Sequence, residues 1–486
     1  MTTARAIRGE VRNNDEIFAS VGMHYTKGYT LLRMLERYVG PDVWQRAIRR
    51  YVDEFAWSNA TEKDLWAIVS KESGLDISKI AGDYLNQPGF AMVSIDESGK
   101  VTQERYVRKG LSVEEQLWHI PLHVKYKADD QVRQTYLLLA GPAGSLDLPS
   151  NPEWIFPDAG ANGYYRWSTS LDQLYNLVDD IDALSDREKI ALLDNSEALL
   201  NAGSLAMADY LYVVNRLLQD PHPLVTLQAL EAVLEIGDEF VTAENRAAFA
   251  TFVDQALAAR YATVGMRNRL NDSEALRQMR PRLVRVLGQF GTDESLVADA
   301  AELVDEYFEK PASVSSGLAL EAMRITALND DGDRYEQYLR AYLDTDSADQ
   351  KSNILGAMYF DRPDVIRRHL EFSLSGEVQA ADSLSALRNF TYVLDDHAIL
   401  YDWLEEHFER VVAKAPAYFG PTMPQRLGGS CDQHNLDLLK DFFAGRGDTY
   451  ATSLARVVEA EEACIARRVE QTGSLNEFLE KADNVD

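Results

Sequence analysis

The chain has 486 residues, and its 78 aspartates and glutamates outnumber its 49 lysines and arginines, which gives a formal charge of −29. This charge excludes nucleic acid as an expected partner, because phosphate binding depends on clustered lysine and arginine. A composition of 46% apolar and 26% charged residues is typical of globular proteins and excludes disordered and collagen-like chains. The length predicts about two to four domains.

The number of cysteines and the length of the apolar runs indicate the cellular compartment of the protein. Only Cys431 and Cys464 occur, too few for a disulfide framework or an all-cysteine zinc site, so we expect two free thiols. Residues 1–8 do not develop the apolar core of a secretory signal. No apolar run reaches the roughly 18 residues that span a bilayer. We therefore expect a cytoplasmic protein without a membrane partner.

Residues 1–90 are predicted to be helical. A first helix is indicated by apolar residues at a spacing of three and four, and Gly40-Pro41 should end it. This first stripe comprises Leu31, Leu32, Met34, Leu35, Tyr38 and Val39. A second stripe comprises Val43, Trp44, Ile48 and Tyr51. A third helix should begin after Thr61, which can cap it beside the acidic Asp64, and should bury Leu65, Trp66 and Val69.

Residues 91–170 are predicted to form a small antiparallel β-sandwich that ends near Trp167. Three short segments are rich in β-branched and aromatic residues and are separated by polar turns. They are residues 92–95, 116–124 and 131–140. Pro121 argues against a helical interpretation of the middle segment.

Residues 171–486 are predicted to be helical throughout, in segments of about 11 to 20 residues. Ser185-Asp186-Arg187-Glu188 has the pattern of a capping box before an apolar run. The expected breaks lie at Gly237, Gly265, Gly291, Pro311, Asp330-Asp331-Gly332, Asp361-Arg362-Pro363 and Gly376. Serial helix pairs of irregular length favour a HEAT-like α-superhelix over a compact bundle. The predicted fold class is therefore mainly α with a small β-sandwich.

Local motifs for catalysis are missing from the sequence. It contains no H-E-x-x-H, Walker loop, G-x-S-x-G or Cys-x-x-Cys pattern. His119 and His123 have the spacing of a helical metal pair, but Pro121 between them favours a strand and a structural role. His434 near Cys431 supplies too few ligands for a tetrahedral metal site. The acidic clusters Glu405-Glu406 and Glu459 with Glu461-Glu462 are most simply solvated helix faces.

Tyr25-Thr26-Lys27-Gly28 is the one candidate catalytic motif. A phenol at the start of a helix is protonated at neutral pH and can donate a hydrogen bond to an oxyanion. Taken alone, the four residues favour a tyrosine that only packs over a catalytic one.

The motif and the segments that follow it in residues 1–90 closely resemble the end of the catalytic domain in the aminopeptidase N family of zinc metallopeptidases (gluzincins). The matching patches are Tyr25-Thr26-Lys27-Gly28, Leu32-Arg33-Met34-Leu35, Phe55, Asn59-Ala60-Thr61, Asp64-Leu65-Trp66 and Asn86-Gln87-Pro88-Gly89-Phe90. Later segments resemble the family's β-sandwich and the opening of its helical domain. They are Trp118-His119-Ile120-Pro121-Leu122, Gly163-Tyr164-Tyr165-Arg166, Leu184-Ser185-Asp186-Arg187, Leu193-Asp194 and Ala202-Gly203. His24, Tyr84 and Ala91 depart from the family's usual residues.

The resemblance implies three segments: residues 1–90 as the end of a thermolysin-like helical subdomain, 91–170 as the β-sandwich and 171–486 as the superhelical domain. It implies that Tyr25 is the catalytic tyrosine that donates to the tetrahedral intermediate. The zinc ligands, the general base and the amine-anchoring loop of the family lie before that tyrosine and are absent here. This chain then has no metal ligands of its own, and zinc belongs to the complete enzyme.

Two functions follow as hypotheses. The first is the C-terminal part of a zinc aminopeptidase, inactive alone, whose partners are a zinc-bearing N-terminal portion and a peptide substrate. The second is a non-catalytic scaffold or protein-binding superhelix derived from an aminopeptidase. Exposed apolar surface within residues 1–90 would favour the first, because those residues should pack against the missing portion.

Overall fold

The computed structural model describes residues 6–9, 14–330 and 334–483. The chain divides into two compact units, Met1–Leu205 and Ala206–Asp486, which we call the first and second unit. The predicted division at residues 90 and 170 is a finer one and stays a prediction.

Four helices open the described part of the first unit. They are α1 (Asn14–Val39), α2 (Pro41–Glu54), α3 (Glu62–Ser73) and α4 (Ile77–Asn86). Helix α1 ends where predicted, because Gly40 adopts a left-handed φ of 87° and Pro41 begins α2. The Asp64 carboxylate accepts a hydrogen bond from the Thr61 backbone N–H at 2.8 Å, as the expected cap requires. Leu32 is the exception in the predicted apolar stripe, since its side chain is exposed.

Seven strands follow and form two sheets. They are β1 (Ala91–Ile95), β2 (Lys100–Arg105), β3 (Ile120–Ala128), β4 (Gln131–Leu139), β5 (Ala143–Ser145), β6 (Trp154–Phe156) and β7 (Arg166–Ser168). One sheet has the order β5-β2-β1-β7 and the other has the order β4-β3-β6. The prediction of a wholly antiparallel arrangement is wrong, because β1 and β7 pair in parallel. Phe156 and Trp167 bring the two sheets into edge-to-face contact, with ring centroids 5.4 Å apart.

Pro121 lies inside β3 without disrupting the sheet. Strand β6 pairs with β3 only at Lys125, Tyr126 and Lys127, so it does not reach the proline. A proline lacks the N–H group that a second neighbouring strand would require, and this position needs none. The middle segment is thus a strand, as predicted, but it runs from 120 to 128 rather than from 116 to 124.

Helices α5 (Leu171–Asp179) and α6 (Asp186–Ala202) complete the first unit, with a short 3-10 turn (Ile181–Ala183) between them. The capping box predicted at the start of α6 is confirmed, because the Glu188 carboxylate accepts from the Ser185 backbone N–H at 2.8 Å. Glu188 also accepts from the Lys125 ammonium at 2.9 Å and from the Gly160 N–H at 2.9 Å. This one carboxylate therefore fixes α6 against β3.

The second unit contains fourteen helices among its described residues. They are α7 (Met207–Leu218), α8 (Pro223–Phe240), α9 (Arg246–Val264), α10 (Glu274–Phe290), α11 (Glu294–Glu309), α12 (Ser316–Leu328), α13 (Arg334–Asp344), α14 (Ala348–Gly356), α15 (Pro363–Ser373), α16 (Ser385–Val393), α17 (Ala398–Lys414), α18 (Met423–Leu427), α19 (Gln433–Phe443) and α20 (Ala451–Asp483). Each even-numbered helix from α8 to α16 contacts the next even-numbered one, and α9, α11, α13 and α15 each contact an even-numbered helix. Successive helices of the even-numbered series are therefore neighbours, and the mainly helical fold class is confirmed.

One predicted helix break is wrong. Gly237 lies inside α8, where a Cβ atom would come within 2.1 Å of the Phe290 ring of α10. The glycine therefore serves the close packing of two helices. The breaks at Gly265, Gly291, Pro311, residues 361–363 and Gly376 coincide with helix ends or linkers. Of the predicted break at residues 330–332, positions 331 and 332 lie outside the described residues.

The expectation of two free thiols is also wrong. Cys431 and Cys464 form a disulfide with their Cα atoms 5.3 Å apart. Glu461, predicted to lie on a solvated face, is buried, and its carboxylate accepts hydrogen bonds from the backbone N–H groups of Gly429 and Cys431. The disulfide and this carboxylate together hold the loop before α19 against α20. The expected cytoplasmic location stays a prediction.

None of the helices in the described ranges is both long and apolar enough to cross a lipid bilayer.

Candidate functional site

Tyr25 lies well inside α1, eleven residues after its first residue, Asn14, and not at the start of a helix as predicted. Its side chain is 78% exposed, and Tyr29 one turn later is 62% exposed. Together with Leu32 they form one face of the helix, since side chains three and four residues apart are neighbours. We call Tyr25, Tyr29 and Leu32 the exposed face of α1. A phenol here can reach a group outside the described chain.

Lys27 occupies the opposite, buried side of α1. Its ammonium donates hydrogen bonds to the backbone carbonyls of Gln87 at 3.2 Å and Gly89 at 3.4 Å. The same ammonium lies 5.7 Å from the centroid of the Tyr164 ring. Burial lowers the pKa of Lys27 to about 8, because a charged amine is poorly solvated there. Lys27 thus ties the motif around Tyr25 to the segment after α4.

This lysine could have been recognised in the sequence. Lys27 lies one helical turn before the buried Leu31, so this charged residue occupies a position of the apolar stripe. A charge in line with a buried stripe requires hydrogen-bond partners. The partners themselves lie about 60 residues later in the chain, and no local pattern points to them.

Residues 86–90, the last patch of the resemblance, contact the other patches. The Gln87 side chain donates to the Leu117 carbonyl at 3.1 Å. The Phe90 ring lies 5.1 Å from the Tyr106 ring and 5.7 Å from the Tyr164 ring. The structure therefore brings the tyrosine motif, the segment after α4 and the segment that precedes β7 into one cluster.

His119 and His123 do not converge on a common site. His119 Nδ1 lies 2.7 Å from an Asp83 carboxylate oxygen, and the same oxygen accepts from the His119 backbone N–H. His123 Nε2 lies 2.8 Å from the Gln134 side chain, and the ring stacks on Tyr136 at 4.1 Å. Burial lowers the pKa of His123, so its neutral form is favoured. Both rings have structural partners.

Asp158 lies near His123 and is the most perturbed carboxyl group of the first unit. Burial raises its pKa to about 6, although the carboxylate accepts from the backbone N–H groups of Asn162 at 3.0 Å and Gly163 at 2.8 Å. These bonds shape the turn that leads to Tyr164. The pKa shift is therefore a consequence of a buried turn and not of a catalytic cleft.

Metal ligation finds no support within the described ranges, where no three histidine, cysteine, aspartate or glutamate side chains are grouped closely enough to hold an ion. His434 Nε2 lies 3.3 Å from Asp396, and Cys431 is committed to the disulfide. These residues do not fit a zinc site.

Comparison with known proteins matches two family descriptions. Residues 154–463 match the ERAP1-like C-terminal domain, and residues 2–84 match the peptidase family M1 domain.

Several curated proteins are similar over most of this chain. "Aminopeptidase M1-A" of Oryza sativa subsp. japonica is 26% identical over 82% of the chain and 47% of its own length. "Aminopeptidase M1" of Arabidopsis thaliana is also 26% identical over 82% and 47%, respectively. "Leucyl aminopeptidase" of Saccharolobus solfataricus is 24% identical over 86% and 52%, respectively. The chain spans about half the length of these relatives. It belongs to the M1 aminopeptidase family and corresponds to the C-terminal portion of its members.

Proposed function

We propose that this chain is the C-terminal part of a zinc aminopeptidase, which removes N-terminal residues from peptides. In this proposal the chain supplies Tyr25 to the transition state, and the predicted superhelical domain, residues 171–486, roofs the active site of the complete enzyme. The observation that carries the proposal is the exposed Tyr25 phenol within the family's motif, on a helix fixed from its other side by Lys27.

The chemistry asked of Tyr25 is hydrogen-bond donation. Attack on a peptide carbonyl places negative charge on the carbonyl oxygen, and a fixed O–H donor lowers the energy of that state more than the energy of the substrate. A donor helps most when it does not reorganise during the reaction. The buried Lys27 ammonium, bonded to two carbonyls, provides such a fixed position for the helix that carries Tyr25.

Zinc enters the proposal only through the complete enzyme. The described residues do not form a zinc site, so the metal and the general base would come from a portion bearing H-E-x-x-H. Without metal-activated water, a single oxyanion donor contributes on the order of 3 to 4 kcal/mol, far less than a peptidase requires. We therefore expect the chain to be inactive alone.

The zinc-bearing portion is also the proposed partner that covers the apolar residues of the first unit. The exposed face of α1 is one part of that surface. Val52 and Trp57 are further large apolar residues that are exposed on α2 and just after it. Such surface is uncommon on a monomer unless a partner covers it.

Complementation tests the proposal. The chain is mixed with a polypeptide that bears the H-E-x-x-H portion, zinc is added, and hydrolysis of aminoacyl anilides is followed. We expect activity only in the mixture, and Tyr25→Phe should lower kcat by about 100- to 1,000-fold. The matched control is Tyr392→Phe, which removes a hydroxyl from an exposed tyrosine outside the first unit and should leave kcat within about twofold of the parent. Failure of complementation, or equal activity of Tyr25→Phe and the parent, would contradict the proposal.

The scaffold hypothesis predicts a different behaviour. A chain that evolved to act alone should be monomeric and should not bind a hydrophobic dye. Dye binding or self-association that disappears when the zinc-bearing portion is added supports the aminopeptidase proposal. A monomer that captures non-substrate proteins in stoichiometric amounts would favour the scaffold instead.

A further inference from the structure

A cavity of about 260 Å³ lies in the first unit, between the end of β2 and helix α6. Three arginines line it, Arg105, Arg108 and Arg166, together with the carboxylates of Asp194 and Glu197. Guanidinium groups are therefore in excess in this cavity, although the chain as a whole has a formal charge of −29. The cavity belongs to neither the exposed face of α1 nor the proposed reaction, and it does not depend on the proposed function.

The two carboxylates already have partners. Asp194 forms a two-pronged ion pair with Arg166, in which one N–H···O distance is 3.2 Å. Glu197 accepts a hydrogen bond from the Asn201 side chain at 3.2 Å. Arg166 is thus neutralised by a neighbour, and Glu197 is held on α6.

The other two guanidinium groups lack carboxylate partners. Within the described ranges, Arg105 makes only a long 3.5 Å contact to the Glu114 carbonyl, and the Arg108 side chain makes no hydrogen bond or ion pair. Both are partly buried. A guanidinium group that is held against the protein but unpaired presents its fork of N–H donors to a ligand.

The walls of the cavity fix Arg105 and supply an aromatic surface. Gly89 has a left-handed φ of 82°, and a Cβ atom there would lie 3.0 Å from Arg105 Nε, so the absent side chain leaves room for the arginine. Phe90 and Tyr106 stack with an interplanar angle of 12°, and the Tyr106 hydroxyl donates to the Ala198 carbonyl at 2.9 Å. The aromatic pair is therefore anchored to both sides of the cavity.

We propose that this cavity binds a small organic anion, whose carboxylate or phosphate group is held by Arg105 and Arg108 while its apolar part rests against Phe90 and Tyr106. Carboxylate and phosphate groups each present a pair of oxygen atoms at a separation that a guanidinium fork can bind with two hydrogen bonds. The volume of about 260 Å³ exceeds that of an inorganic ion and lies just below the usual range for organic ligand sites, about 300 Å³ and above, so it suits a small ligand.

Calorimetric titration of the full chain tests the site with two probes, benzoate and phenyl phosphate, with chloride at equal ionic strength as the blank. We expect saturable one-to-one binding of at least one probe. The probe that binds more tightly assigns the acid group, carboxylate or phosphate. The melting temperature should rise with the concentration of that probe, because a ligand of the folded state stabilises it.

Two matched variants locate the binding. Arg108→Gln should weaken binding about tenfold or more, since a charge-assisted hydrogen bond is lost. Arg133→Gln removes the same charge from an exposed position on β4, and we expect its affinity to stay within twofold of the parent. Both side chains are at least partly exposed, and the melting temperature without probe reports whether each variant is folded. No saturable binding of either probe, or equal weakening in both variants, would overturn the proposal.

Discussion

His369 of α15 provides a quantitative test of the packing in the second unit. The residue is fully buried, and neither ring nitrogen has a hydrogen-bond partner in the part of the chain that the structure describes. Its neighbours are the rings of Tyr335, Phe372 and Phe390, with centroids 5.8 to 6.4 Å away. Burial among them lowers the pKa of His369 to about 3.

The change of folding stability with pH follows from the difference in proton binding between the folded and the unfolded chain. An unfolded histidine titrates near pH 6.5, so between about pH 6.5 and pH 3 the unfolded chain binds one proton more than the folded one. Stability from the neutral ring is fully present above pH 6.5 and is lost as the pH falls. Between pH 7 and pH 5 the loss amounts to about 2 kcal/mol for this one group.

The comparison must be made between variants, because other groups titrate as well. Burial raises the pKa of Asp158, in the first unit, to about 6. A folded-state pKa above the unfolded value has the opposite sign for a carboxyl group, so the contribution of Asp158 to stability increases as the pH falls from 7 to 5. The pH dependence of the parent alone therefore does not isolate His369.

The assay is urea unfolding of the parent and His369→Leu at pH 7 and pH 5, followed by circular dichroism. We expect the free energy of unfolding of His369→Leu, relative to the parent, to rise by about 2 kcal/mol between pH 7 and pH 5. His434→Leu is the matched control, because His434 is exposed and its replacement should change this difference little. A relative free energy of unfolding that is the same at both pH values would refute the assignment of His369 as a buried, unpaired ring.

Three other substitutions have defined expected outcomes. Lys27→Met removes a buried amine with a lowered pKa. The free energy of unfolding of the parent relative to this variant should therefore rise by about 2 kcal/mol between pH 8 and pH 10, measured by urea unfolding. Cys464→Ser opens the disulfide to Cys431, which closes a sequence separation of 33 residues, and should lower the free energy of unfolding by about 3 to 4 kcal/mol. Gly237→Ala forces a Cβ atom against the Phe290 ring and should cost about 1 to 3 kcal/mol, seen as a lower melting temperature.

Each of these has an internal control. A reducing agent should lower the stability of the parent but leave Cys464→Ser unchanged; an equal effect on both would count against the disulfide. Gly473→Ala places a methyl group in open space on α20 and should stabilise by about 0.5 to 1 kcal/mol. If Gly237→Ala behaved in the same way, the close packing of α8 on α10 would be wrong. For Lys27, a relative stability that did not change above pH 8 would argue against a lowered pKa.

Features specified by local chemistry could be predicted from the sequence. The end of α1 at Gly40, the cap at Thr61 and the capping box at Ser185 each depend on residues within four positions of one another. Strand β2 was missed because its sequence is mostly polar. It nevertheless buries Gln103, whose side chain exchanges two hydrogen bonds with the backbone of Trp118. A polar residue in a core depends on a distant partner that periodicity does not reveal.

The residues of the candidate site also separate into those that a local motif predicts and those that depend on distant partners. Tyr25 was identified through its motif, but its position inside α1 was missed because residues 14–24 lack a clear apolar stripe. The prediction that Glu461 lies on a solvated face is wrong. Its acidic neighbours suggest a surface, whereas two backbone N–H groups from a loop about 30 residues earlier hold it in the interior. Tertiary partners decide the burial of a charge, and they lie outside any local window.

Helix α20 has a consequence for how the second unit is made. Its first half holds the loop at Cys431, while its second half binds α7 through the Gln471 side chain, which accepts from the Met207 N–H at 2.9 Å, and packs Phe478 on Phe252 of α9. In a simple array of repeats each member touches only its neighbours and can fold in turn. Here the earliest helices of the unit share surface with residues made more than 200 positions later. During synthesis, this surface of the early helices stays uncovered until α20 has been made. We expect the unit to unfold in one cooperative transition and not repeat by repeat.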